Sequence, residues 1–474
     1  MIRQFFLYSI GPFLGSFISI ISIPVITRLV SPQDYGLLNL FISIFSFLYI
    51  FIAFPDYAFA KEYHKFKEQK RENYLLWNTA AISLILSLIV GIFLIVFSEE
   101  LSKILFKDNQ INELFYILAI MLLLAVFDRF SQISLRMQGK GLSYSIVNIE
   151  NKLLILLLTL ILVYLYPDHA ITAILAYALA QILTSITSFY LNKSSWSLKN
   201  VGFNLGLQKK MFKFSFPIMP SSLIMWGLSS LSIVFLNGYS NFYEIGIYSG
   251  AQRIANILTV IQTAFMSFWM PMALKLDHEK VDTKEYTKVN ELVLSIMTGI
   301  FLIVLFFKDG IILFLGSEYK EAILLVPFTL FFPVMYTLSE AIGVGFALKG
   351  KVHFNLIASG LSIVSFLAIG FMLIPKFGAL GAAITAALSY TLLFWIKTLI
   401  ATKVWYKFSL VKYIINSLLL ICVSVFNSII TNWTIYLINI LMIIIYIKIN
   451  RSHLSLIYQY LIKIKNSRFK KRNI

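Results

Sequence analysis

The sequence predicts an all-α polytopic membrane protein with about fourteen transmembrane helices: two six-helix lobes related by an internal repeat, then two more helices. Three observations carry this expectation. Hydrophobic residues make up 59% of the chain and the mean hydropathy is +0.82, more than a soluble core needs. The apolar residues fall in runs of about 20, enough to cross a hydrocarbon layer of about 30 Å as helices that satisfy their own backbone. Finally, short motifs recur at nearly one offset along the chain.

In chain order the spans are expected near 5–27, 37–60, 75–97, 114–135, 146–166, 171–192, 214–236, 247–272, 289–307, 322–346, 355–374, 379–400, 411–430 and 433–449. The run after Arg3 imitates a secretory signal, but it lacks a small-residue cleavage pattern and many spans follow, so it is read as the first helix. An even count puts both termini on one side. Of the 40 lysines and arginines, 31 fall on that side, six on the other (Arg28, Lys103, Lys107, Lys308, Lys320 and Lys376), and three within spans (Arg129, Lys152 and Arg253). Positive charge gathers on the cytoplasmic side of membrane proteins, so both termini are expected in the cytoplasm. The net charge of +18 then reflects anchoring beside anionic lipid and not nucleic-acid binding.

No loop exceeds about two dozen residues, which leaves no room for a soluble catalytic or nucleotide-binding domain. The longest, 193–213, sets Trp196, Phe203, Leu205 and Phe212 beside Lys209, Lys210 and Lys213, the pattern of an interfacial helix on the inner leaflet. It also falls near the midpoint of the first twelve spans. The expected organisation is a lobe over 1–192, the cytoplasmic interfacial linker 193–213, a second lobe over 214–402, two extra helices in 403–449 and a basic cytoplasmic tail at 450–474.

The repeat rests on four matches. Asp34-Tyr35-Gly36-Leu37 pairs with Glu244-Ile245-Gly246-Ile247 at an offset of 210, and Ile104-Leu105-Phe106 with Ile312-Leu313-Phe314 at 208. Gly139-Lys140 pairs with Gly350-Lys351 at 211, and Pro167 with Pro375 at 208. Six spans per repeat keep both halves in one orientation, and transporters of that kind place their site near the midplane between the halves. The first helix of each half contains two prolines, Pro12 and Pro24 in span 1 and Pro217 and Pro220 in span 7. Each pair is read either as a static kink or as a bending gate helix. Gly11 and Gly15 form a GxxxG pattern, which favours close helix packing.

Ionisable residues inside spans are few, and an arginine there normally faces a bundle interior or a watery cavity. The run from Tyr243 to Pro271 is long enough to cross a bilayer yet contains Gln252 and Arg253. Arg253 lies six residues past Ile247, roughly 9 Å below the surface at the helical rise. It either lines a passage for an anionic or polar cargo, or reaches back to headgroups or to a carboxylate on a neighbouring helix. Asp128 and Arg129 sit in span 4, pointing about 100° apart on the helix, so one can line a cavity while the other pairs across helices. Glu340 occupies the equivalent depth in span 10, and Asp56 lies beside Pro55 near the cytoplasmic end of span 2. Asp128, Glu340 and Asp56 are candidates for coupling to a proton or sodium, or for charge pairing with Arg129 or Arg253. Glu150 and Lys152 are near enough to the interface to snorkel, and Glu291 is expected to be solvated at the start of span 9. The single cysteine, Cys422, excludes an intramolecular disulfide framework, and the five histidines all fall in expected loops. No metal site, cofactor or nucleotide motif is expected.

The runs IGIYSGAQRIANILTVIQTAFMSFWMPM (245–272), PVITRLVSPQDYGLLNLFISI (24–44) and LIPKFGALGAAITAALSY (373–390) resemble the oligosaccharide flippases of bacterial O-antigen and capsule synthesis. These form the polysaccharide branch of the multidrug/oligosaccharidyl-lipid/polysaccharide exporter superfamily. The resemblance covers nearly the whole chain, and the SPxDYG after span 1 and the PxxGxxGAA before span 12 are typical of that branch. It implies a non-enzymatic transporter of the bacterial cytoplasmic membrane. Its cargo would be an undecaprenyl-diphosphate-linked oligosaccharide, moved from the inner to the outer leaflet by alternating access. It also implies contact with membrane lipids and with the polysaccharide polymerase and chain-length machinery. On this reading Arg253, Arg129 and Gln252 line the cavity, because the planar guanidinium fork binds phosphate bidentately. Two rivals stand beside it: a cation-coupled drug or metabolite exporter of the same fold, which predicts an acid-dominated cavity, and a membrane-embedded polysaccharide polymerase, which usually needs a sizeable outward loop.

Overall fold

The computed structural model describes the backbone of residues 2–107, 111–166, 171–198, 201–430 and 432–455, with side chains from residue 10 onward. Pro167 and the tail beyond residue 455 therefore lie outside the described residues. Among the described residues there are helices and turns and no strand. The chain divides into two compact units, Met1–Ser249 and Gly250–Ile474.

The first unit contains α1 (Ile2–Leu29), α2 (Pro32–Ala53), α3 (Asp56–Glu68), α4 (Glu72–Val96), the short α5 (Ser98–Leu101), α6 (Glu113–Met137), α7 (Gly141–Leu165), α8 (Thr172–Leu191), α9 (Leu205–Ser215) and α10 (Met219–Tyr239). Helix α11 (Phe242–Asn256) begins here and ends in the second unit. That unit continues with α12 (Thr259–His278), α13 (Thr283–Phe306), the short α14 (Lys308–Ile312) and α15 (Val326–Thr329), α16 (Phe331–Leu348), α17 (His353–Val404), α18 (Val411–Ile429) and α19 (Thr434–Ile449).

The motifs singled out in the sequence have local physical reasons. In SPxDYG, Ser31 caps α2 by accepting from the Asp34 amide, and Pro32 occupies the first turn, where its missing N–H costs nothing. Gly36 is there for close approach. A Cβ on Gly36 would stand 1.9 Å from the Phe242 carbonyl oxygen, and one on Gly246 would stand 1.7 Å from that of Pro32. The two copies of the repeated motif thus meet reciprocally within the first unit. Gly139 and Gly350, also repeat partners, both have positive φ and end α6 and α16. Each is followed by a lysine whose amide bonds back to the fifth residue before it (Lys140 to Leu135, Lys351 to Phe346), the Schellman ending that favours glycine.

Helix α17 has 52 residues, about 78 Å if straight, more than two hydrocarbon thicknesses. It folds back instead. Gly378 takes φ 52° and ψ −130° after Pro375, and the Ser362 hydroxyl donates to the Ser389 carbonyl 27 residues on. Gly381 completes the turn, since a Cβ there would lie 2.4 Å from the Leu373 carbonyl oxygen. The PxxGxxG motif is therefore a hairpin between two crossings.

Several expectations need correction. The span expected at 247–272 is not one helix: α11 and α12 meet at a 44° bend. Among the described residues, eleven helices are long and apolar enough to cross a membrane, or twelve if the bent pair crosses once. The expected fourteen are reached only by counting α17 twice and the 16-residue α19 once. Pro12 and Pro24 lie inside α1, but Pro217 and Pro220 do not interrupt a helix. Pro217 sits in a 3₁₀ turn after α9 and Pro220 in the first turn of α10, positions where proline breaks no hydrogen bond. Trp196 does not lie on the membrane surface: it is 4% exposed and donates to the Ser131 hydroxyl at 2.8 Å. The compact division also falls later than the linker at 193–213. Helix α10 packs on α2, with Trp226 donating to the Ser43 carbonyl at 3.2 Å and its ring tilted against Phe47, although the repeat assigns it to the second half.

Candidate functional site

In the first unit the polar residues of the spans gather where α3, α6, α7 and α8 meet. Asp56 opens α3, because the chain turns at Pro55 after α2 ends, and the carboxylate favours that amino end. It is 2% exposed, and Arg129 of α6 reaches it with both Nε (2.6 Å) and Nη2. Asp128, the neighbour of Arg129, points elsewhere, accepting from Gln132 on its own helix at 2.9 Å and from Ser188 of α8 at 2.6 Å. Glu150 of α7 accepts from Thr187 of α8 at 2.7 Å. It is tied across helices where snorkelling was expected.

Along α8 the polar positions recur at helical spacing. Tyr177, Gln181 and Thr184 share a face opposite the exposed Leu175 and Leu179, and Thr187 lies at its edge, toward Leu183. Asn151 of α7 donates to Gln181 at 3.1 Å and to Thr184 at 3.2 Å, and Gln181 donates to the Tyr177 hydroxyl at 3.1 Å. The sequence reading passed over this ladder. The signal was present as the spacing of four, three and three residues among hydroxyls and an amide within an apolar run.

In the second unit Glu340 of α16 pairs with Lys397 of α17 at 2.5 Å, and Lys397 is only 3% exposed. The sequence reading counted Lys397 among the cytoplasmic loop residues, whereas the helix continues to Val404 and buries it. The apolar run through Leu399 and Ile400 was the available signal. Glu340 lies 212 residues beyond Asp128 and Lys397 lies 209 beyond Ser188, so each unit ties the same repeat-related pair of helices with a carboxylate. Glu291 also departs from expectation. It is 13% exposed rather than solvated, and it holds Lys412 of α18 at 2.5 Å and His453 at 3.1 Å. Burial and the nearby Lys412 hold the His453 imidazole below its usual value.

Gln252 and Arg253 are half-buried in the last turn of α11, just before the bend at Ile257 and Leu258. An arginine there also complements the carbonyl end of its own helix. The structure does not bring Arg253 and Arg129 into one unit, so the cavity set expected from the sequence is divided between the two.

Long apolar helices, one broken beside an arginine, with every candidate carboxylate engaged by a cation, amide or hydroxyl, define a multi-pass membrane protein. The chain belongs to the polysaccharide biosynthesis protein family, whose model matches residues 1–277. It is 22% identical over 400 residues to the capsular polysaccharide biosynthesis protein CapF of Staphylococcus aureus, covering 82% of this chain and 96% of that protein. It is 23% identical over 271 residues to the succinoglycan biosynthesis transport protein ExoT of Rhizobium meliloti (strain 1021), covering 56% of this chain and 52% of that one. Among solved structures, the lipid II flippase MurJ in an inward closed conformation matches with a TM-score of 0.71 at 16% identity, over 96% of this chain and all of that one. An inward-facing multidrug resistance MATE family transporter of the MOP superfamily matches at 0.63 and 18% identity, over 84% and 93%. These structures share the fold.

Proposed function

We propose that this protein is a flippase that carries undecaprenyl-diphosphate-linked oligosaccharide repeat units from the cytoplasmic to the outer leaflet of the bacterial inner membrane, by alternating access, for surface polysaccharide synthesis. The observation that carries this reading is the state of the acids. Asp56 is held by Arg129, Glu340 by Lys397, and Asp128 by Ser188 and Gln132. A cation-coupled exporter needs carboxylates available to its ion or cargo, and here they are engaged within their own units. Arg253, in the turn before a broken helix, is the cation assigned to the diphosphate, with Gln252 beside it, and Arg129 is the second candidate. The family match over 1–277 and the full-length similarity to CapF favour a polysaccharide precursor over a drug as cargo. The distribution of lysine and arginine puts both termini in the cytoplasm on this reading. Polysaccharide polymerase and chain-length proteins are the partners that would receive the product.

The test is the leaflet location of the lipid-linked repeat unit in a strain deleted for this gene, with wild type or Arg253→Ala supplied at equal levels. The expected result is cytoplasmic accumulation that wild type clears and Arg253→Ala does not. Arrival at the outer leaflet without the protein overturns the proposal.

A further inference from the structure

The polar ladder of the first unit has no part in the charge pairing described above. Gln181 is the tenth residue of the 20-residue α8, and Asn151 the eleventh of the 25-residue α7. Both amides therefore sit near the middle of helices just long enough to cross the hydrocarbon layer. Asn151, Gln181 and Tyr177 are half-buried, not enclosed in the core, although α8 also carries a face of exposed leucines. Hydrogen bonds that only hold membrane helices together are modest, and small residues do that work elsewhere in this unit, as where Gly11 of α1 packs against Ser145 of α7. Holding α7 to α8 does not require two amides and a phenol at mid-depth. Aromatic rings flank the ladder: Phe45 of α2 meets Tyr177 edge-on at 6.5 Å and Tyr49 at 5.9 Å. Glu150 and Thr187 continue it toward the cytoplasmic end.

From this arrangement we infer that the face formed by Tyr177, Gln181, Asn151, Thr187 and Glu150 is a saccharide-recognition surface that contacts the hydroxyls of the carried oligosaccharide. The inference rests on the flippase reading and names a part of its substrate that the arginines do not address. Amides and hydroxyls supply both donors and acceptors, as a sugar hydroxyl does, and aromatic faces cover the apolar side of a sugar ring. From Tyr177 to Thr187 the ladder rises about 15 Å, enough for a short oligosaccharide. A site built to hydrogen-bond hydroxyls discriminates against substrates that lack them, since its own polar groups are then left without partners. Cargo length and sugar identity are thus read on this face.

The experiment compares two substrates in reconstituted vesicles: the undecaprenyl-diphosphate-linked complete repeat unit and the same carrier bearing a single sugar. Gln181→Met and Asn151→Leu keep an apolar helix surface and are expected to slow the complete unit about three- to tenfold for each hydrogen bond lost, leaving the single-sugar substrate within about twofold. Tyr177→Phe, which removes only a hydroxyl, gives a smaller shift in the same direction. Equal slowing of both substrates, or no change in either, overturns the inference, because a purely structural ladder has no reason to sense sugar number. If wild type moves neither substrate, the flippase reading fails instead. The surface then stands or falls on whether wild type, but not Gln181→Met, binds the repeat oligosaccharide released from its carrier.

Discussion

Gly246→Ala is the perturbation whose consequence the structure defines most sharply. Replacing a helical glycine by alanine on its own stabilises a helix by up to about 1 kcal/mol, because alanine has less backbone freedom to lose. At Gly246 the new Cβ would stand 1.7 Å from the Pro32 carbonyl oxygen and 2.5 Å from its carbon, against a floor of 3.0 Å for real contacts. The starts of α2 and α11 must therefore separate by more than 1 Å. The atoms in the way are backbone, so no side chain can turn aside. Overpacking costs about 1–3 kcal/mol where side chains can adjust, so the upper end applies here: about 3 kcal/mol, set against the 1 kcal/mol helix gain. Gly36→Ala meets the Phe242 carbonyl from the other side and should behave alike, and the double variant should cost less than the sum, since one separation relieves both clashes. Gly360→Ala in α17 is the control: nothing lies within 4 Å of its Cβ, so it should be neutral or stabilising. The assay is thermal unfolding of purified protein in detergent, with expression and surface-polysaccharide complementation alongside. Wild-type stability of Gly246→Ala, or a loss equal to that of Gly360→Ala, would refute the reasoning.

Arg253→Ala should lower transport about ten- to hundredfold, the range of a charge-assisted contact of about 1.5–3 kcal/mol, while Arg253→Lys retains part of it. If both variants transport normally, Arg253 serves only the end of its helix. Glu340→Gln should destabilise the second unit by about 3 kcal/mol, since it strands a lysine that is 3% exposed. Glu340→Gln combined with Lys397→Met should recover most of that loss, and additive losses in the cycle would contradict a coupled pair. His453 predicts a pH dependence. Its folded value lies below the ordinary imidazole value of 6.5, so the unfolded chain binds more protons between the two. The stability contributed by burying the neutral imidazole beside Lys412 is complete above about pH 6.5 and is lost as the pH falls through the folded value, the Glu291 carboxylate only partly offsetting the loss. Melting curves at pH 5.5 and 7.5 should differ more for wild type than for His453→Gln, which can still donate to Glu291; an equal difference removes the imidazole from the account.

Membrane residence and helix content were legible in composition because lipid offers the backbone no partner, so an apolar run of sufficient length has few alternatives to a helix. The repeat was legible for a related reason. Its surviving matches, Gly36 with Gly246 and Gly139 with Gly350, are positions where backbone contact or positive φ admits little but glycine. The interruptions of helices were less legible. Proline residues at 217 and 220 read as kinks but begin a helix, and the bend between α11 and α12 falls at Ile257 and Leu258, where no sequence signal marks it.

Side-chain partnership was legible only in small part: Arg129 with Asp56 stood among the expected alternatives, and the other pairs did not. Lys397 and Glu340 are 57 residues apart, Glu291 and His453 are 162 apart, and hydropathy assigns each residue a depth without a direction. The same holds for the ladder on α8: the sequence carries its spacing, but only packing against α7 makes it one surface. The sequence alone determined that the chain crosses the membrane many times and does so as helices, because both depend on local chemistry against a uniform solvent. The tertiary structure decided which charges neutralise one another and which polar groups face inward, because those outcomes depend on rotation of one helix against another, which the bilayer does not specify.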